Sequence, residues 1–294
     1  MVYVEGMSDY GRAVNNGWQS FNAVGSTTTL AGAPECTART TGYCYQSCDS
    51  RPQGCGKCDW TSCANDGQYV SDILDSLETS YCLDKTRYYA SGYSNGGMMA
   101  FEIGMAVLER FAALVPGGGQ PFVGHNDAPP TGTGGAISVM DLHGTSDRTC
   151  PGNSITSSDG WNYEPVDNVL KVWAAANGCS NTGTLKKYDT PEDGNTKLWC
   201  VSFGDCPSGV DIVRCSYNLG HHWLGYNSNG GTGARLAFDF FRSHRKVTVA
   251  EAGLDKPEVQ RNVDRVLKEL YPYGQNVSKA NSDAIIAKAA EMRK

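Results

Sequence analysis

The sequence has 294 residues, of which 40% are hydrophobic and 19% are charged, and a formal net charge of −6. This composition is too apolar for a disordered chain, and the length allows one large domain or two small ones. The negative charge argues against a nucleic-acid-binding surface, which is typically basic, and no stretch approaches the roughly 18 apolar residues of a membrane span. We therefore expect a globular protein that binds neither nucleic acid nor membrane.

Helical and strand-like segments alternate along the chain. Apolar residues recur at helical spacing in the predicted helices, and β-prone or continuously apolar runs mark the predicted strands. In chain order these are a helix at 66–81, a strand at 85–91, a helix carrying Met98 to Val107, strands at 111–115 and 137–142, a helix at 165–178, strands at 197–203 and 210–217, and helices at 233–244, 257–270 and 282–293. The alternation predicts an α/β fold with a mostly parallel, doubly wound sheet.

The end of the chain differs in character from the rest. Residues 247–294 contain no cysteine, no tryptophan and only two of the 35 glycines. We therefore divide the chain into a Gly- and Cys-rich body at 1–246 and a helical tail at 247–294. The tail carries no motif for chemistry, and we expect it to dock as a helix pair or to contact a protein partner.

All twelve cysteines lie in the body, and six of them fall within 36–63. So many thiols indicate an oxidising compartment unless they bind metal. Spacings of C-x3-C at 44–48 and C-x2-C at 55–58 would also suit zinc. No histidine lies nearby, however, and the other six cysteines have no such pattern. We favour a disulfide-stapled insertion loop at 36–63, without a metal.

The cysteines imply an extracellular protein, which requires a signal peptide. The first six residues have neither the basic start nor the apolar run of such a peptide. We therefore expect that the chain as given lacks its true N-terminus.

A Gly-x-Ser-x-Gly pattern, the nucleophile elbow, stands at 92–96. It follows a predicted strand and precedes a predicted helix, as the mechanism of such an elbow demands. The sharp turn projects the serine hydroxyl above the sheet edge, and small flanking glycines let the backbone and the helix approach each other. Ser94 is therefore the candidate nucleophile.

A serine nucleophile needs a histidine base, which a carboxylate orients, and in the hydrolase fold the acid and then the histidine follow the serine. Of the five histidines, His125 lies too close to the serine, His143 precedes the best acid and His244 ends a predicted helix. His221 and His222 remain, in the loop after the last predicted strand.

The best acid is Asp147, just past the strand at 137–142. Asp141 lies inside that strand, where its side chain could not reach a loop at the end of the sheet. Asp159 and Asp167 are less specific and remain as alternatives.

Three segments together resemble secreted esterases of the polyhydroxybutyrate depolymerase and feruloyl esterase type. They are the elbow with its flanks at 81–84 and 88–100, the sequence HGTSD at 143–147, and GHHW at 220–223. The resemblance covers about 1–244 and implies an α/β-hydrolase fold. In the family, a strand with a His-Gly motif precedes the region where this chain begins, so we expect the N-terminal strands of the sheet to be incomplete.

The resemblance also implies individual roles. The family's catalytic histidine stands two residues before the tryptophan, which selects His221 and leaves His222 as a pocket or solvent residue. The oxyanion hole of this fold uses the N–H after the nucleophile, here that of Asn95. A family disulfide, carried over, joins Cys179 to Cys206 and leaves Cys200 and Cys215 as a cross-strand pair.

We therefore expect a secreted serine esterase that uses Ser94, His221 and Asp147 and needs no cofactor. The resemblance favours feruloyl or acetyl esters of plant cell-wall polysaccharides, with polyhydroxyalkanoate as the alternative substrate. Tyr93 and Trp223 would either stack against an aromatic acid or a sugar, or simply pack in the fold. The rival hypothesis is a catalytically weak, carbohydrate-binding scaffold.

Overall fold

The computed structural model describes residues 1, 2, 4, 65–123, 134–153, 157–158, 161–188, 198–225 and 231–271. The Cys-rich loop predicted at 36–63 and the helix predicted at 282–293 lie outside these residues. Within them, the elements are α1 (Asp66–Ser80), β1 (Tyr89–Tyr93), α2 (Asn95–Ala106), a short 3-10 helix (Leu108–Arg110), β2 (Ala113–Gly117), β3 (Ser138–Gly144), α3 (Val166–Ala176), β4 (Asn181–Tyr188), β5 (Trp199–Gly204), β6 (Ile212–Tyr217), α4 (Thr232–Ser243), α5 (Val249–Ala252) and α6 (Pro257–Leu270).

The six described strands form one sheet in the order β1-β2-β3-β6-β5-β4. The first four strands of this order run parallel to one another, and β5 and β4 pair antiparallel at the far side. The mostly parallel sheet is the predicted one. Because parallel strands end at the same edge, the turns after β1, β3 and β6 come together there.

Several elements depart from the predictions. The short 3-10 helix and α5 were not predicted, β2 lies two residues later than expected, and β3 runs two residues further. β1 begins at Tyr89, four residues after the predicted start, and runs to Tyr93, because Gly92 and Tyr93 continue the parallel ladder opposite Pro116 and Gly117. β4 was not predicted, since its residues are mostly polar and small and lack a strand-like apolar run.

Apolar side chains of the sheet alternate between two cores, as buried parallel strands require. Leu114, Val139 and Ile212 face the core formed with α1, α2 and α3. Val115, Met140 and Val213 face the opposite core, which α4 covers with Leu236 and Phe240. Helices thus cover both faces of the sheet. A functional site is therefore expected at the carboxyl ends of the parallel strands. No helix among the described residues has both the length and the apolar content to cross a membrane.

The tail begins as part of this layered structure. Val263 and Val266 of α6 pack against Val172 and Ala175 of α3, and the Asn262 side chain donates to the carbonyl of Cys179 at 3.1 Å. The apolar face of α6 is therefore covered by the chain's own body. A contact between the tail and a protein partner would have to use residues outside this apolar face of α6.

Two disulfides tie the antiparallel side of the sheet. Cys179, just after α3, is bonded to Cys206, and Cys200 is bonded to Cys215, its directly opposite residue in the β5–β6 ladder. These are the pairs that the resemblance implies.

The Cys179–Cys206 bond closes a loop across a sequence separation of 27 residues. We expect the double variant Cys179→Ala/Cys206→Ala to lose about 3 kcal/mol of unfolding free energy, because the cross-link restricts the unfolded chain. Calorimetry would then show a melting temperature lower by roughly 6–12 °C. The matched control is Cys82→Ser, which changes an exposed, unbonded cysteine. Equal melting temperatures for the two variants would contradict the prediction.

Candidate active site

The turn after β1 places Ser94 in a strained backbone conformation. Its φ of 58° and ψ of −121° are unfavourable for a residue with a side chain. Its N–H donates to the carbonyl of Gly117 at 2.8 Å, and its own carbonyl accepts from Gly97 and Met98 in the first turn of α2. These bonds hold the sharp strand-to-helix turn and place the serine at the strand-end edge of the sheet.

The two glycines of the elbow pattern are not equivalent. An ideal Cβ on Gly92 would lie 2.2 Å from the carbonyl oxygen of Gly96, so only glycine allows α2 to start this close to β1. A Cβ on Gly96 would meet no described atom within 4 Å. Both glycines were expected to allow the close approach, whereas the structure requires glycine only at position 92.

Ser94, His221 and Asp147 are joined by hydrogen bonds. His221 Nε2 lies 3.0 Å from Ser94 Oγ, and His221 Nδ1 lies 2.7 Å from Asp147 Oδ2. Asp147 is buried, while the His221 side chain is 22% exposed. This chain of contacts allows the imidazole to accept the serine proton while the carboxylate stabilises the positive ring.

The carboxylate of Asp147 is held by its own loop. Its Oδ1 accepts from the N–H groups of Thr149 and Cys150, at 2.9 and 2.8 Å. The other oxygen is thereby directed to His221. Such a local turn fixes both the position and the orientation of an acid before substrate arrives.

The other candidates lie elsewhere or outside the described residues. Asp167 forms an ion pair with Arg214 at 2.7 Å, and the side chain of His222 is exposed to solvent. His244 is buried and lies beside Asp211. Asp159 and His125 are not among the described residues.

The acid loop and the histidine loop are connected directly. Beyond the β3–β6 ladder, Thr145 N–H donates to the carbonyl of Tyr217 at 2.9 Å and Ser146 N–H to that of Leu219 at 3.0 Å. The hydroxyl of Tyr217 donates to the carbonyl of His222 at 2.8 Å. Tyr217 was not predicted as a site residue, although a tyrosine ending the strand before the histidine loop was the available signal.

Tyr93 and Trp223 pack beside the histidine. The Tyr93 ring lies 5.0 Å from that of His221 and 6.0 Å from that of Trp223, measured between centroids. Burial, followed by the charge of Asp147, raises the pKa of Tyr93, so its hydroxyl stays neutral at any ordinary pH. Trp223 lies over Gly117, where a Cβ would come within 2.3 Å of the indole. Both aromatic residues therefore pack against the loops that carry Ser94 and His221.

Asn95 begins α2 immediately after Ser94 and is buried. Its backbone N–H stands at the positive end of the helix dipole, which favours a developing negative charge. No group of three or more potential metal-ligating side chains occurs among the described residues.

Known proteins similar in sequence are esterases. A bifunctional acetylxylan esterase/xylanase of Neocallimastix patriciarum is 30% identical over 148 residues, which is 50% of this chain and 19% of that protein. Feruloyl esterase B of Piromyces equi is 26% identical over 171 residues, which is 57% of this chain and 30% of that protein. The chain thus matches less than a third of the length of either relative.

Among solved structures, an acetyl xylan esterase from Aspergillus awamori aligns with a TM-score of 0.43 and 14% identity, over 62% of this chain and 69% of that one. No protein-family model matches the chain. The parallel sheet, the elbow after β1 and the succession of serine, acid and histidine loops are those of an α/β-hydrolase. The chain therefore has an α/β-hydrolase fold, and about half of it is similar in sequence to an acetylxylan esterase/xylanase and a feruloyl esterase.

Proposed function

We propose that this chain is a serine carboxylester hydrolase with Ser94 as its nucleophile. The single observation that carries the proposal is the hydrogen-bonded line from Ser94 through His221 to the buried carboxylate of Asp147. A serine on a strained turn, with a histidine at 3.0 Å and a fixed acid behind it, is suited to acyl transfer.

The reaction proceeds through an acyl-enzyme. His221 Nε2 takes the proton of Ser94 Oγ as the oxygen attacks the ester carbonyl, and then protonates the departing alcohol. Asp147 holds the ring in the tautomer that presents a free Nε2 lone pair. Water then attacks the acyl-serine, with His221 again acting as the base. No step requires a cofactor.

The oxyanion of each tetrahedral intermediate needs backbone donors. We assign one to the N–H of Asn95, at the start of α2. In this fold the second donor comes from a loop that precedes the elbow strand, and we assign none among the described residues. Tyr93 and Trp223 are partly exposed and pack beside the histidine, so an aromatic acid or a sugar bound there would contact them.

The proposed substrates are feruloyl or acetyl esters on plant cell-wall polysaccharides. Support comes from the relatives, one called a feruloyl esterase and the other an acetylxylan esterase. Polyhydroxyalkanoate is the alternative. The two disulfides support an extracellular location, since such bonds persist in oxidising compartments.

The test compares the wild-type protein with Ser94→Ala on four substrates: p-nitrophenyl acetate, methyl ferulate, acetylated xylan and a polyhydroxybutyrate film. We expect the wild type to hydrolyse p-nitrophenyl acetate and at least one of methyl ferulate and acetylated xylan. We expect Ser94→Ala to hydrolyse none of the four substrates. A fluorophosphonate probe should label only the wild type. Hydrolysis of the film alone would favour the polyester alternative. A protein that binds xylan but neither reacts with the probe nor cleaves any ester would be a non-catalytic scaffold, and the proposal would be wrong.

A further inference from the structure

A second buried acid–histidine pair lies directly behind the proposed triad. Asp141 and His143 project from β3, and both side chains are almost fully inaccessible, at 0% and 1% exposure. The sequence analysis set both aside as triad members. In the structure neither touches Ser94, and His143 contacts the loop that holds Asp147.

His143 contacts that loop at three points, one of which is Asp147 itself, whose Oδ2 lies 3.8 Å from His143 Nε2. The same Nε2 lies 2.7 Å from the carbonyl oxygen of Cys150, and since a carbonyl can only accept, Nε2 carries the proton and donates. The ring also packs on Gly152, where a Cβ would come within 2.8 Å of it. The far end of the acid loop is thereby fixed to the sheet.

Asp141 faces the other ring nitrogen of the histidine, in an ion-pair contact that is not a hydrogen bond. Its Oδ1 lies 3.5 Å from His143 Nδ1, and neither of its oxygens accepts a hydrogen bond from any described residue. Arg214, opposite Asp141 in the ladder, directs its guanidinium to Asp167. Burial lowers the pKa of His143, whereas the Asp141 carboxylate, the Cys150 carbonyl and the Asp147 carboxylate together raise it, and the net direction is upward. The protonated ring is therefore favoured beside the buried Asp141 carboxylate, and its Nε2 proton is directed at Cys150.

We infer that His143, held by Asp141, is a positioning residue for Asp147. Cys150 links the two, because its carbonyl accepts from His143 while its N–H donates to Asp147 Oδ1. A continuous line of contacts therefore runs from β3 through the acid loop to His221 and Ser94. This inference rests on the proposed function, since it assigns Asp147 as the acid.

The test uses His143→Leu, which removes the donor, and His143→Gln, whose amide N–H can still reach the Cys150 carbonyl. The matched control is His244→Gln, because His244 is also buried, near the Phe240 carbonyl at 2.6 Å and Asp211 at 3.1 Å, on the other side of the sheet. All variants are assayed well below their melting temperatures with p-nitrophenyl acetate.

For His143→Leu we expect kcat to fall on the order of 100-fold with KM changed less than about 3-fold, since a displaced acid impairs chemistry rather than binding. For His143→Gln we expect kcat to fall roughly 10-fold. For His244→Gln we expect kcat to fall less than about 2-fold, even if this control variant loses as much melting temperature as the His143 variants do. Equal losses in the two His143 variants, or losses no larger than in the control, would overturn the inference.

A second readout does not depend on turnover. The His221 Nδ1–H that bonds to Asp147 should give a downfield proton signal in histidine-labelled protein, present in the wild type and His244→Gln and weakened in the His143 variants. If His143→Leu does not fold, the proton signal and kcat of His143→Gln test the positioning role instead. If the wild type hydrolyses no ester, the proposed function is wrong, whatever the proton signal shows. If the signal is unchanged in the His143 variants, the positioning role of His143 is wrong, whatever the esterase assay shows.

Discussion

Replacing His221 by alanine is expected to lower kcat for p-nitrophenyl acetate on the order of 10⁶-fold, about as much as removal of the serine itself. The reason is geometric, because His221 is the only described side chain within hydrogen-bonding distance of both Ser94 Oγ and Asp147 Oδ2. Without it, the serine keeps its proton and remains a poor nucleophile. Circular dichroism should be unchanged, since the ring is partly exposed and lies in a loop.

His222→Ala is the matched control, because it removes the neighbouring imidazole from the same loop. Its side chain is exposed, and the bond from the Tyr217 hydroxyl goes to its backbone carbonyl, which alanine retains. We expect most of the activity to remain. If His222→Ala proved to be the inactive variant, the histidine assignment would have to move by one residue.

Much of this site could be predicted because its parts are local in sequence. The elbow is a five-residue pattern. The acid loop and the histidine loop each directly follow a strand that can be predicted from its run of apolar residues. Asp147 and His221 are 74 residues apart, yet parallel pairing of β3 with β6 places their loops side by side. The topology of an α/β sheet therefore converts a sequence order into a spatial cluster.

The residues that support the site were harder to predict. Asp141 was predicted inside a strand and His143 in the acid loop, and their role depends on how that loop folds back over them. Tyr217 likewise acts through a backbone carbonyl of the next loop. β4 was not predicted because its residues have little strand propensity of their own, and it forms a strand by pairing with β5. Each of these features depends on tertiary contacts that local patterns do not encode.

The second large effect is expected at the glycine that begins the elbow. In Gly92→Ala the new methyl group would lie 2.2 Å from the oxygen and 2.4 Å from the carbonyl carbon of Gly96. Those atoms belong to the backbone at the start of α2, so they cannot move aside as a flexible side chain could. We expect a loss of about 3 kcal/mol or more in unfolding free energy, measured by urea denaturation. Any folded fraction should show much lower kcat, because moving α2 displaces Ser94.

Gly96→Ala provides the comparison at the other glycine of the same pattern. Gly96 is the second residue of α2, and its Cβ would meet no described atom within 4 Å. Alanine is also favoured over glycine in a helix by up to about 1 kcal/mol. We therefore expect Gly96→Ala to unfold at the same urea concentration as the wild type or at a slightly higher one. If both substitutions destabilised the protein equally, the close approach at Gly92 would not explain the pattern, and the glycines would instead be needed for the backbone flexibility of the turn.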